Sequence, residues 1–322
     1  MISYPPEIEL EHAPCPLGCH AEDEEVLVGC DRIHNLPGVY PVVKCRVCGL
    51  LRTNPRPTVD TIGYYYPDDY GPHRETVGRF ANDGAITPRA WEKLSLSPFQ
   101  WNNERLPSSL RPGRLLEIGC GSGGFLHRMA QQGWTVEGVE LSANAAEAAR
   151  RLGHKVFQGP FEAIPEKKGS YDLIIGWMVL EHLHDPVHCL QKMHRLAKPD
   201  GYLVLSVPNA GSLEFTLFKE KWYALHLPAH LFHFTPRTLQ TVLEKGGWRI
   251  KRIFHQRVLS NLAASIGYVL RERGRLNRVA GALLDFPKMS GVSHFLVYPF
   301  AYLLSLFGQT GRMTVWARRK ND

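Results

Sequence analysis

Residues 115–124 read Leu-Leu-Glu-Ile-Gly-Cys-Gly-Ser-Gly-Gly, an apolar run that ends in a glycine-rich turn. A second apolar run follows and ends at Glu140. The glycines at Gly119, Gly121 and Gly123 let the backbone turn sharply and come close to a ligand, because they lack Cβ. A carboxylate at the tip of the next strand can accept hydrogen bonds from two ribose hydroxyls. Together these features predict a site for a nucleoside cofactor.

The glycine spacing alone does not identify the nucleoside, since the stretch also fits the Gly-x-Gly-x-x-Gly pattern of dinucleotide sites. Glu117, just before Gly119, separates the alternatives. A carboxylate at this position would repel a pyrophosphate, whereas it would attract a cationic amino-acid moiety. The sequence therefore favours a cofactor that carries a positively charged amino-acid part.

Three further motifs follow the glycine turn in order. They are 136–142 (VEGVELS), 171–177 with 180–186 (YDLIIGW and LEHLHDP) and 196–209 (LAKPDGYLVLSVPN). With the glycine turn as motif I, this order resembles the class I S-adenosylmethionine-dependent methyltransferases. The resemblance implies an S-adenosylmethionine-binding enzyme that transfers a methyl group.

The same region alternates short apolar runs with helical segments. Strands are predicted at 115–118, 135–139, 173–176 and 202–207, and helices at 125–132, 143–152 and 187–196. This βαβα order predicts a Rossmann-like α/β fold. The resemblance implies a seven-stranded sheet whose last strand is antiparallel, with 249–254 and 313–317 as the closing pair.

The expected domain organisation has five parts. It comprises a zinc-binding module (1–55), a linker and aromatic lid segment (56–110), the methyltransferase core (111–256), a helical insertion that serves as substrate cap or membrane contact (257–311), and the last core strand with a tail (312–322).

By resemblance, the cofactor would be held along one edge of the sheet. Glu140 would bind the ribose, and the adenine and methionine portions would meet residues from the following loops. The full expected set is Glu117, Gly119, Cys120, Gly121, Gly123, Glu140, Leu141, Phe161, Glu162, Trp177 and Met178. For Phe161, a place in the hydrophobic core is an equal alternative.

Two close thiol pairs lie near the N-terminus, Cys15 with Cys19 and Cys45 with Cys48. Four thiolates can surround Zn²⁺ as a tetrahedron, and Gly49 allows the tight turn that a chelating knuckle needs. Such a site would be structural, because no coordination position stays open. The open alternatives are buried thiols without metal, or a substitute ligand from Cys30, His20 or His34. Similar leaders occur in bacterial methyltransferases of sugar and polysaccharide pathways, which this chain resembles.

A histidine-rich segment spans 222–235 and contains His226, His230 and His233. It is similar to the His-x-x-aromatic-Phe-Ser/Thr element of deoxysugar C-methyltransferases, in which His230 would take the position of the proposed base. The tyrosine that those enzymes place nearby is not matched, because Tyr223 lies too far upstream, and this favours an O-methyl acceptor. His182 is the next candidate base, although a backbone hydrogen bond at a helix start would also explain it.

No Asp/Glu/His set with metal-ligand spacing is visible at the pocket edge, so no catalytic divalent metal is expected. The histidine triplet could itself bind zinc. Because Pro228 lies between His226 and His230, these two histidines need not share one face of a helix.

The net charge of +7 would suit nucleic acid or an anionic membrane. The excess lies late, with eight Arg or Lys from Arg249 to Arg278 against the single Glu272, and an uncharged segment at 289–311 follows. This pairing favours a lipid interface over a nucleic-acid groove, so no nucleic-acid partner is expected. The apolar run 295–307 is shorter than the roughly 20 residues of a membrane span. A buried helix pair is the favoured interpretation of this run, and peripheral contact with an anionic membrane is the alternative.

The N-terminus shows neither the basic nor the apolar region of a secretory signal, so a cytoplasmic protein, peripheral at most on the inner face of the membrane, is expected. The sequence thus predicts an S-adenosylmethionine-dependent methyltransferase that O-methylates a sugar, polysaccharide or lipid-linked small molecule with a histidine base. The alternatives are a sugar C-methyltransferase, an NAD-dependent oxidoreductase and a non-catalytic binding protein.

Overall fold

The computed structural model describes residues 4–5, 7–66, 106–166, 168–274, 276–288 and 292–320. Most of the predicted linker and lid segment falls on 67–105, outside the described residues. The chain forms two compact units. Unit 1 comprises 1–67, 177–194 and 205–322, and unit 2 comprises 68–176 and 195–204.

The described residues contain thirteen strands. They are β1 (Leu10–Glu11), β2 (Asp23–Gly29), β3 (Tyr40–Cys45), β4 (Leu51–Thr53), β5 (Arg56–Pro57), β6 (Arg114–Ile118), β7 (Thr135–Glu140), β8 (Lys155–Gln158), β9 (Tyr171–Trp177), β10 (Ala197–Pro208), β11 (Phe232–His233), β12 (Trp248–His255) and β13 (Arg312–Arg319).

The described residues also form eight α-helices. They are α1 (Gly124–Gln131), α2 (Ala143–Arg151), α3 (Pro186–Leu196), α4 (Leu213–Phe218), α5 (Pro236–Lys245), α6 (Ser260–Glu272), α7 (Asn277–Asp285) and α8 (Val292–Leu306). Short 3₁₀ turns include Ile62–Tyr65, Phe161–Ala163, Leu180–His182 and Tyr223–Leu225.

Seven strands form one mixed sheet in the order β12-β13-β10-β9-β6-β7-β8. β6 runs parallel to β7 and to β9, and β7 runs parallel to β8. β12 and β13 are antiparallel. The predicted class I methyltransferase fold is therefore confirmed, including the antiparallel closing strands.

The central strands are buried almost without interruption, as parallel strands covered on both faces require. β8 was not predicted, because only Val156 of its four residues is buried and no periodic pattern marks it. β10 begins at Ala197, earlier than the predicted residue 202.

Local capping explains where two of the helices begin. The side chain of Ser142 accepts the backbone N–H of Ala145 at the start of α2. The side chain of Thr235 caps α5 by accepting the N–H of Thr238, and the side chain of Thr238 accepts the N–H of Thr235, which completes a capping box. Pro236 occupies the first turn. This cap fixes the start of α5 at Pro236.

A second sheet belongs to unit 1 and has four strands in the order β11-β4-β3-β2. Strands β2, β3 and β4 come from the cysteine-bearing N-terminal segment. The fourth strand, β11, comes from the histidine-rich segment and pairs antiparallel with β4, with Phe232 opposite Arg52 and His233 opposite Leu51. The histidine-rich segment is therefore built into the N-terminal sheet.

The predicted insertion contains three helices, α6, α7 and α8. A Cβ at Gly267 would lie 3.0 Å from the carbonyl oxygen of Ala280, so glycine there lets α6 and α7 pack closely. The expected buried helix pair in the uncharged segment is wrong for its described residues. They form the single helix α8, from which Phe300 and Leu306 project into solvent. Within the described ranges, no helix combines the length and apolarity needed to cross a bilayer.

Candidate functional site

The glycine turn after β6 has the backbone conformation that its sequence predicts. Gly119 and Gly121 have φ angles of 68° and 52°, in the left-handed region that favours glycine. A Cβ on Gly123 would lie 2.7 Å from the Cβ of Ala149, so glycine there lets the turn and α2 approach each other. The amides of Gly119 and Cys120 both donate to the carbonyl of Val139, at 2.8 and 3.1 Å. These bonds fix the turn beside the end of β7.

Glu140 is the last residue of β7, and its side chain turns toward the glycine turn. Its Oε2 accepts the N–H of Gly121 at 2.8 Å, and its Oε1 accepts the N–H of Ser142 at 2.8 Å. The two backbone amides therefore fix the orientation of the carboxylate at the end of the strand.

A second carboxylate, Glu117, is buried in β6 with 3% of its surface exposed. The thiol of Cys120 is affected by both carboxylates. Its burial raises the thiol pKa, and the negative charges of Glu117 and Glu140 raise this pKa further. The region around the turn is therefore electronegative, which suits a cationic ligand and opposes a pyrophosphate. This is the property expected of a site for a sulfonium cofactor.

The loop after β8 is joined to the same strand edge. The amide of Gly159 donates to the carbonyl of Glu140 at 2.9 Å. Phe161 is buried in the following 3₁₀ turn, whereas Glu162 is exposed. Leu141 exposes 64% of its surface although it is apolar. An adenine ring would cover apolar surface of this kind, so the residues present fit the cofactor.

Trp177 and Met178 belong to unit 1, whereas the other predicted cofactor residues belong to unit 2. Trp177 ends β9. Met178 has a left-handed φ of 57°, its amide donates to the carbonyl of Ser206 at 2.9 Å, and the Ser206 hydroxyl lies 3.9 Å from its sulfur. Their assignment to the methionine portion stays a prediction.

The four predicted zinc ligands come together in unit 1. The sulfur atoms of Cys15, Cys19, Cys45 and Cys48 all lie within 4.8 Å of one another. They are thiols rather than disulfides, and the sulfurs of Cys15 and Cys48 are 3.6 Å apart. A tetrahedral site with Zn–S bonds of 2.3 Å would separate its sulfurs by about 3.8 Å. The donor set and its spacing therefore fit Zn²⁺.

Each thiol pair is closed by a glycine turn. Gly18 and Gly49 have φ angles of 78° and 77°, and their amides donate to the carbonyls of Cys15 and Cys45 at 2.9 and 2.8 Å. Burial opposes the thiolate of Cys45, but backbone hydrogen bonds outweigh it and lower the pKa to about 7. The three-residue spacing of the first pair thus forms a knuckle as readily as the two-residue spacing of the second.

His226 and His230 of the histidine-rich segment gather with His182 although they do not lie on one helix. The ring centroid of His230 lies 4.6 Å from that of His182 and 4.8 Å from that of His226. His34 of the N-terminal segment lies 6.2 Å from His226. We call His34, His182, His226 and His230 the histidine cluster.

His233 lies apart from this cluster. It is buried in β11, and its Nε2 is 3.3 Å from the hydroxyl of Thr53. Burial lowers its pKa to about 3. The strand pairing of His233 accounts for its burial. Its predicted catalytic role stays a prediction.

Backbone carbonyls set the tautomers of two cluster histidines. Nδ1 of His182 lies 2.9 Å from the carbonyl oxygen of Ala229, and Nδ1 of His230 lies 2.9 Å from that of Ala224. Because a carbonyl oxygen only accepts, both Nδ1 atoms must carry the proton. Each Nε2 then presents a lone pair.

The cluster is held in its neutral state. Burial lowers the pKa of His182 to about 4, although the Ala229 carbonyl partly opposes this. Burial, followed by the neighbouring histidines, lowers the pKa of His226 to about 3 and that of His230 well below its ordinary value. The lone pairs are therefore available at neutral pH, but the rings are weaker bases than the pKa near 7 that proton abstraction favours.

Three neighbours of the cluster were not identified from the sequence. The hydroxyl of Tyr66 lies 2.7 Å from Nδ1 of His182. Thr53 donates its hydroxyl to the carbonyl of His230 at 2.8 Å. One ligand atom each of Glu181, His182 and His230 lies within 4.8 Å of the others, a set that spacing along the sequence did not reveal. The sequence signal that could have indicated this set is that Glu181 and His182 are neighbours in the motif at 180–186.

The profile of the family described as "Methyltransferase domain" matches residues 90–252. The ubiquinone biosynthesis O-methyltransferase of Bordetella avium (strain 197N) is 32% identical over 147 residues, which cover 41% of this chain and 61% of that protein. The protein of the same name from Pseudomonas aeruginosa (strain LESB58) is 31% identical over 143 residues, 39% of this chain and 60% of that protein.

This chain thus spans about three fifths of the length of these curated relatives. Among solved structures, the S-adenosylmethionine dependent methyltransferase from Mesorhizobium loti has 18% sequence identity and a TM-score of 0.44, and the match covers 66% of this chain and 94% of that one.

Proposed function

Because the chain belongs to the methyltransferase-domain family and is a class I S-adenosylmethionine-dependent methyltransferase, we propose that it methylates a hydroxyl oxygen of a small lipid-linked acceptor. Membership in this family removes the alternatives of an NAD-dependent oxidoreductase and of a non-catalytic protein. The site agrees with this, since its carboxylates suit a sulfonium better than a pyrophosphate.

The cofactor supplies an electrophilic methyl group, and the residues of unit 2 hold it. We assign Glu140 to the two ribose hydroxyls, because its carboxylate is already oriented by Gly121 and Ser142. The exposed side chain of Leu141 would cover the adenine. Glu117 would attract the positive charge of the methionine portion. The remaining predicted contacts, including Phe161, Glu162, Trp177 and Met178, are part of the same proposal.

The histidine cluster is the observation that carries the proposal of O-methylation. A hydroxyl is a poor nucleophile until its proton is removed or its charge is stabilised. His182 and His230 offer unprotonated Nε2 atoms with fixed tautomers for this task. The relatives with ubiquinone-biosynthesis names are O-methyltransferases by those names, which supports the choice of an oxygen acceptor.

The acceptor class rests on two features. The names of the relatives point to a quinone-type acceptor rather than to the sugar or polysaccharide expected from the sequence. In addition, α8 exposes apolar side chains: Phe300, Tyr302, Leu303 and Leu306, with Phe307 just beyond the helix. A surface of this kind suits peripheral contact with a membrane in which a lipid-linked acceptor resides.

The proposal is tested with S-adenosylmethionine that carries a labelled methyl group. The purified full chain is incubated with a polyprenylated catechol, a lipid-linked sugar and a nucleotide sugar. We expect label in an ether of the catechol and not in the nucleotide sugar. His230→Ala should lose transfer while it still binds S-adenosylhomocysteine, and the exposed His188→Ala should retain both. Transfer only to a sugar would overturn the acceptor class.

Sugar C-methylation is the second candidate, and one observation favours it. The deoxysugar C-methyltransferases that the histidine-rich segment resembles place a tyrosine near the base, and Tyr66 lies beside His182. Product analysis separates the two reactions, because a C-methyl group survives the acid treatment that cleaves a methyl ether.

We also propose that the four cysteines bind a structural Zn²⁺ ion and that the five-part domain division holds. Removing a structural zinc removes folding free energy. Cys48→Ser should release one zinc per chain and lower the melting temperature, whereas Cys30→Ser, a thiol outside the four-cysteine group, should do neither. Equal zinc content in both variants would contradict the assignment.

A further inference from the structure

Glu181 is a carboxylate in an unusual setting. Its side chain is fully buried in the 3₁₀ turn Leu180–His182, and neither carboxylate oxygen has a hydrogen-bond partner among the described residues. Its own backbone amide and the guanidinium of Arg312 favour its charged form, but burial outweighs both. The guanidinium of Arg312 donates its hydrogen bond to Oδ1 of Asn261, at 3.1 Å. A buried carboxyl group without a hydrogen-bond partner is unfavourable, so this arrangement calls for a ligand.

Two imidazoles each bring a nitrogen atom within 4.8 Å of a carboxylate oxygen of Glu181. The rings of His182 and His230 are 4.6 Å apart and nearly perpendicular, at 80°. Both bind a backbone carbonyl through Nδ1, which leaves Nε2 as the nitrogen with a lone pair for a metal ion. Metal-binding histidines almost always donate their other N–H to a carbonyl or carboxylate in this way, because that bond fixes the ring and raises its basicity.

We propose that Glu181, His182 and His230 bind a divalent transition-metal ion of the zinc class. The three ligand atoms lie within 4.8 Å of one another, and a tetrahedral site with ligand bonds of about 2.1 Å would bring them to about 3.5 Å. The ion supplies the positive charge that the buried carboxylate lacks. Two neutral imidazoles and one carboxylate are a common donor set for such ions and leave a coordination position open.

The open position has a use, which rests on the proposed O-methylation. An acceptor hydroxyl bound there would lose its proton to water at neutral pH, because a bound dication lowers the pKa of the hydroxyl. An oxygen anion is the nucleophile that the proposed O-methylation requires.

The two metal sites of the chain can be told apart by their ligands. Co²⁺ bound by four thiolates gives intense sulfur-to-metal charge-transfer absorption, whereas Co²⁺ bound by nitrogen and oxygen gives only weak visible bands. Protein whose cysteine site is filled with Zn²⁺ is therefore titrated with Co²⁺. We expect one further equivalent to bind without thiolate absorption. Failure of wild-type protein to bind it would overturn the proposal.

Glu181→Gln keeps the shape of the side chain but loses the anionic ligand, and it should weaken the second site by at least about 100-fold. Glu214→Gln is the matched control, because Glu214 is also a buried glutamate of unit 1 but has hydrogen-bond partners in Gly311 and Trp222. It should still bind the second equivalent. Equal Co²⁺ affinity in the two variants would overturn the site, and the wild-type titration stands even where Glu181→Gln does not fold.

Activity separates this inference from the proposed function. Protein that retains only its thiolate-bound metal should lose at least about 90% of catechol methylation, and added Zn²⁺ or Co²⁺ should restore it. Full methylation with the second site empty would refute the role of the metal while the O-methyltransferase assignment stands. Binding of the second equivalent without methylation of any hydroxyl would refute the proposed function while the metal site stands.

Discussion

Tyr66 and His182, which are 116 residues apart in the sequence, are joined by a contact of 2.7 Å between the phenol oxygen and Nδ1. The same phenol donates to the carbonyl of Ala229 at 3.3 Å, and Nδ1 of His182 reaches that carbonyl at 2.9 Å. Because the carbonyl requires a proton on Nδ1, the phenol oxygen must share this proton as an acceptor. Tyr66 therefore helps to fix the ring whose Nε2 we assign to the metal.

Tyr66→Phe should weaken metal binding at the second site by about tenfold, since partners of a ligating histidine contribute on this order. Phenylalanine keeps the ring packing, and Ala229 remains as partner of Nδ1, so the protein should fold. The Co²⁺ titration described above measures the change. Tyr64→Phe, on the neighbouring and partly exposed tyrosine, should leave the affinity unchanged. Unaltered affinity in Tyr66→Phe would show that the phenol does not support the ligand.

Glu140→Gln should raise the dissociation constant of S-adenosylhomocysteine by about 30-fold, which corresponds to the loss of about 2 kcal/mol from charge-assisted hydrogen bonds. Glutamine also turns an NH₂ group toward one of the two backbone amides that now donate to Glu140. Isothermal titration calorimetry measures the constant. Glu137→Gln is the control, because Glu137 lies on the same strand but pairs with Arg114 and Lys155. Similar losses in both variants would contradict the assignment.

The parts of the site that the sequence predicted are those that local rules determine. The turn from Gly119 to Gly123 and the carboxylate of Glu140 follow from residues that adjoin them in the chain and from the regular βαβ order. The start of α5 at Thr235 is local in the same way, because a cap needs only the first turn of its helix.

The parts that the sequence did not predict depend on contacts between distant segments. β11 pairs with β4 across most of the chain, and nothing in the two residues of β11 marks them as a strand. Tyr66 reaches His182 only because the N-terminal segment packs against this part of unit 1. Glu181 looked like an ordinary motif residue, and only its burial without a partner identifies it as unusual.

Glu214 predicts a specific dependence of stability on pH. Burial raises its pKa from 4.5 to about 7, although the Gly311 amide, the Trp222 indole and Arg312 partly oppose this. The folded protein therefore binds a proton that the unfolded chain releases. The resulting stabilisation is fully present below pH 4.5 and is lost as pH rises through about 7. Glu214→Gln stays neutral and should lack this loss.

The difference in free energy of unfolding between the variant and the wild type should therefore change with pH. From pH 4 to above pH 7, it should shift in favour of the variant by about 2–3 kcal/mol. Urea unfolding at pH 4, 6 and 8 measures both proteins. Glu244→Gln, at an exposed position, controls for the general loss of negative charge. A difference between wild type and Glu214→Gln that does not change with pH would contradict the raised pKa.

The exposed apolar side chains around α8 predict binding to anionic membranes. Leu303 and Leu306 expose 51% and 60% of their surfaces, and burying both in the interface should contribute about 2–4 kcal/mol. Exposed arginines of the same unit, Arg271, Arg273 and Arg278, would add attraction to anionic headgroups. The wild type should therefore sediment with vesicles of phosphatidylglycerol, and less with vesicles of phosphatidylcholine.

The double variant Leu303→Glu/Leu306→Glu should reduce this sedimentation by at least about tenfold, because two charges would enter the interface. Val59→Glu places a charge at an equally exposed apolar residue of the N-terminal segment and should have little effect. Methylation of a short, water-soluble catechol should be the same in all three proteins, since that acceptor needs no membrane. Equal sedimentation of the double variant and the wild type would show that α8 is not the membrane contact, and the acceptor would then have to reach the enzyme from solution.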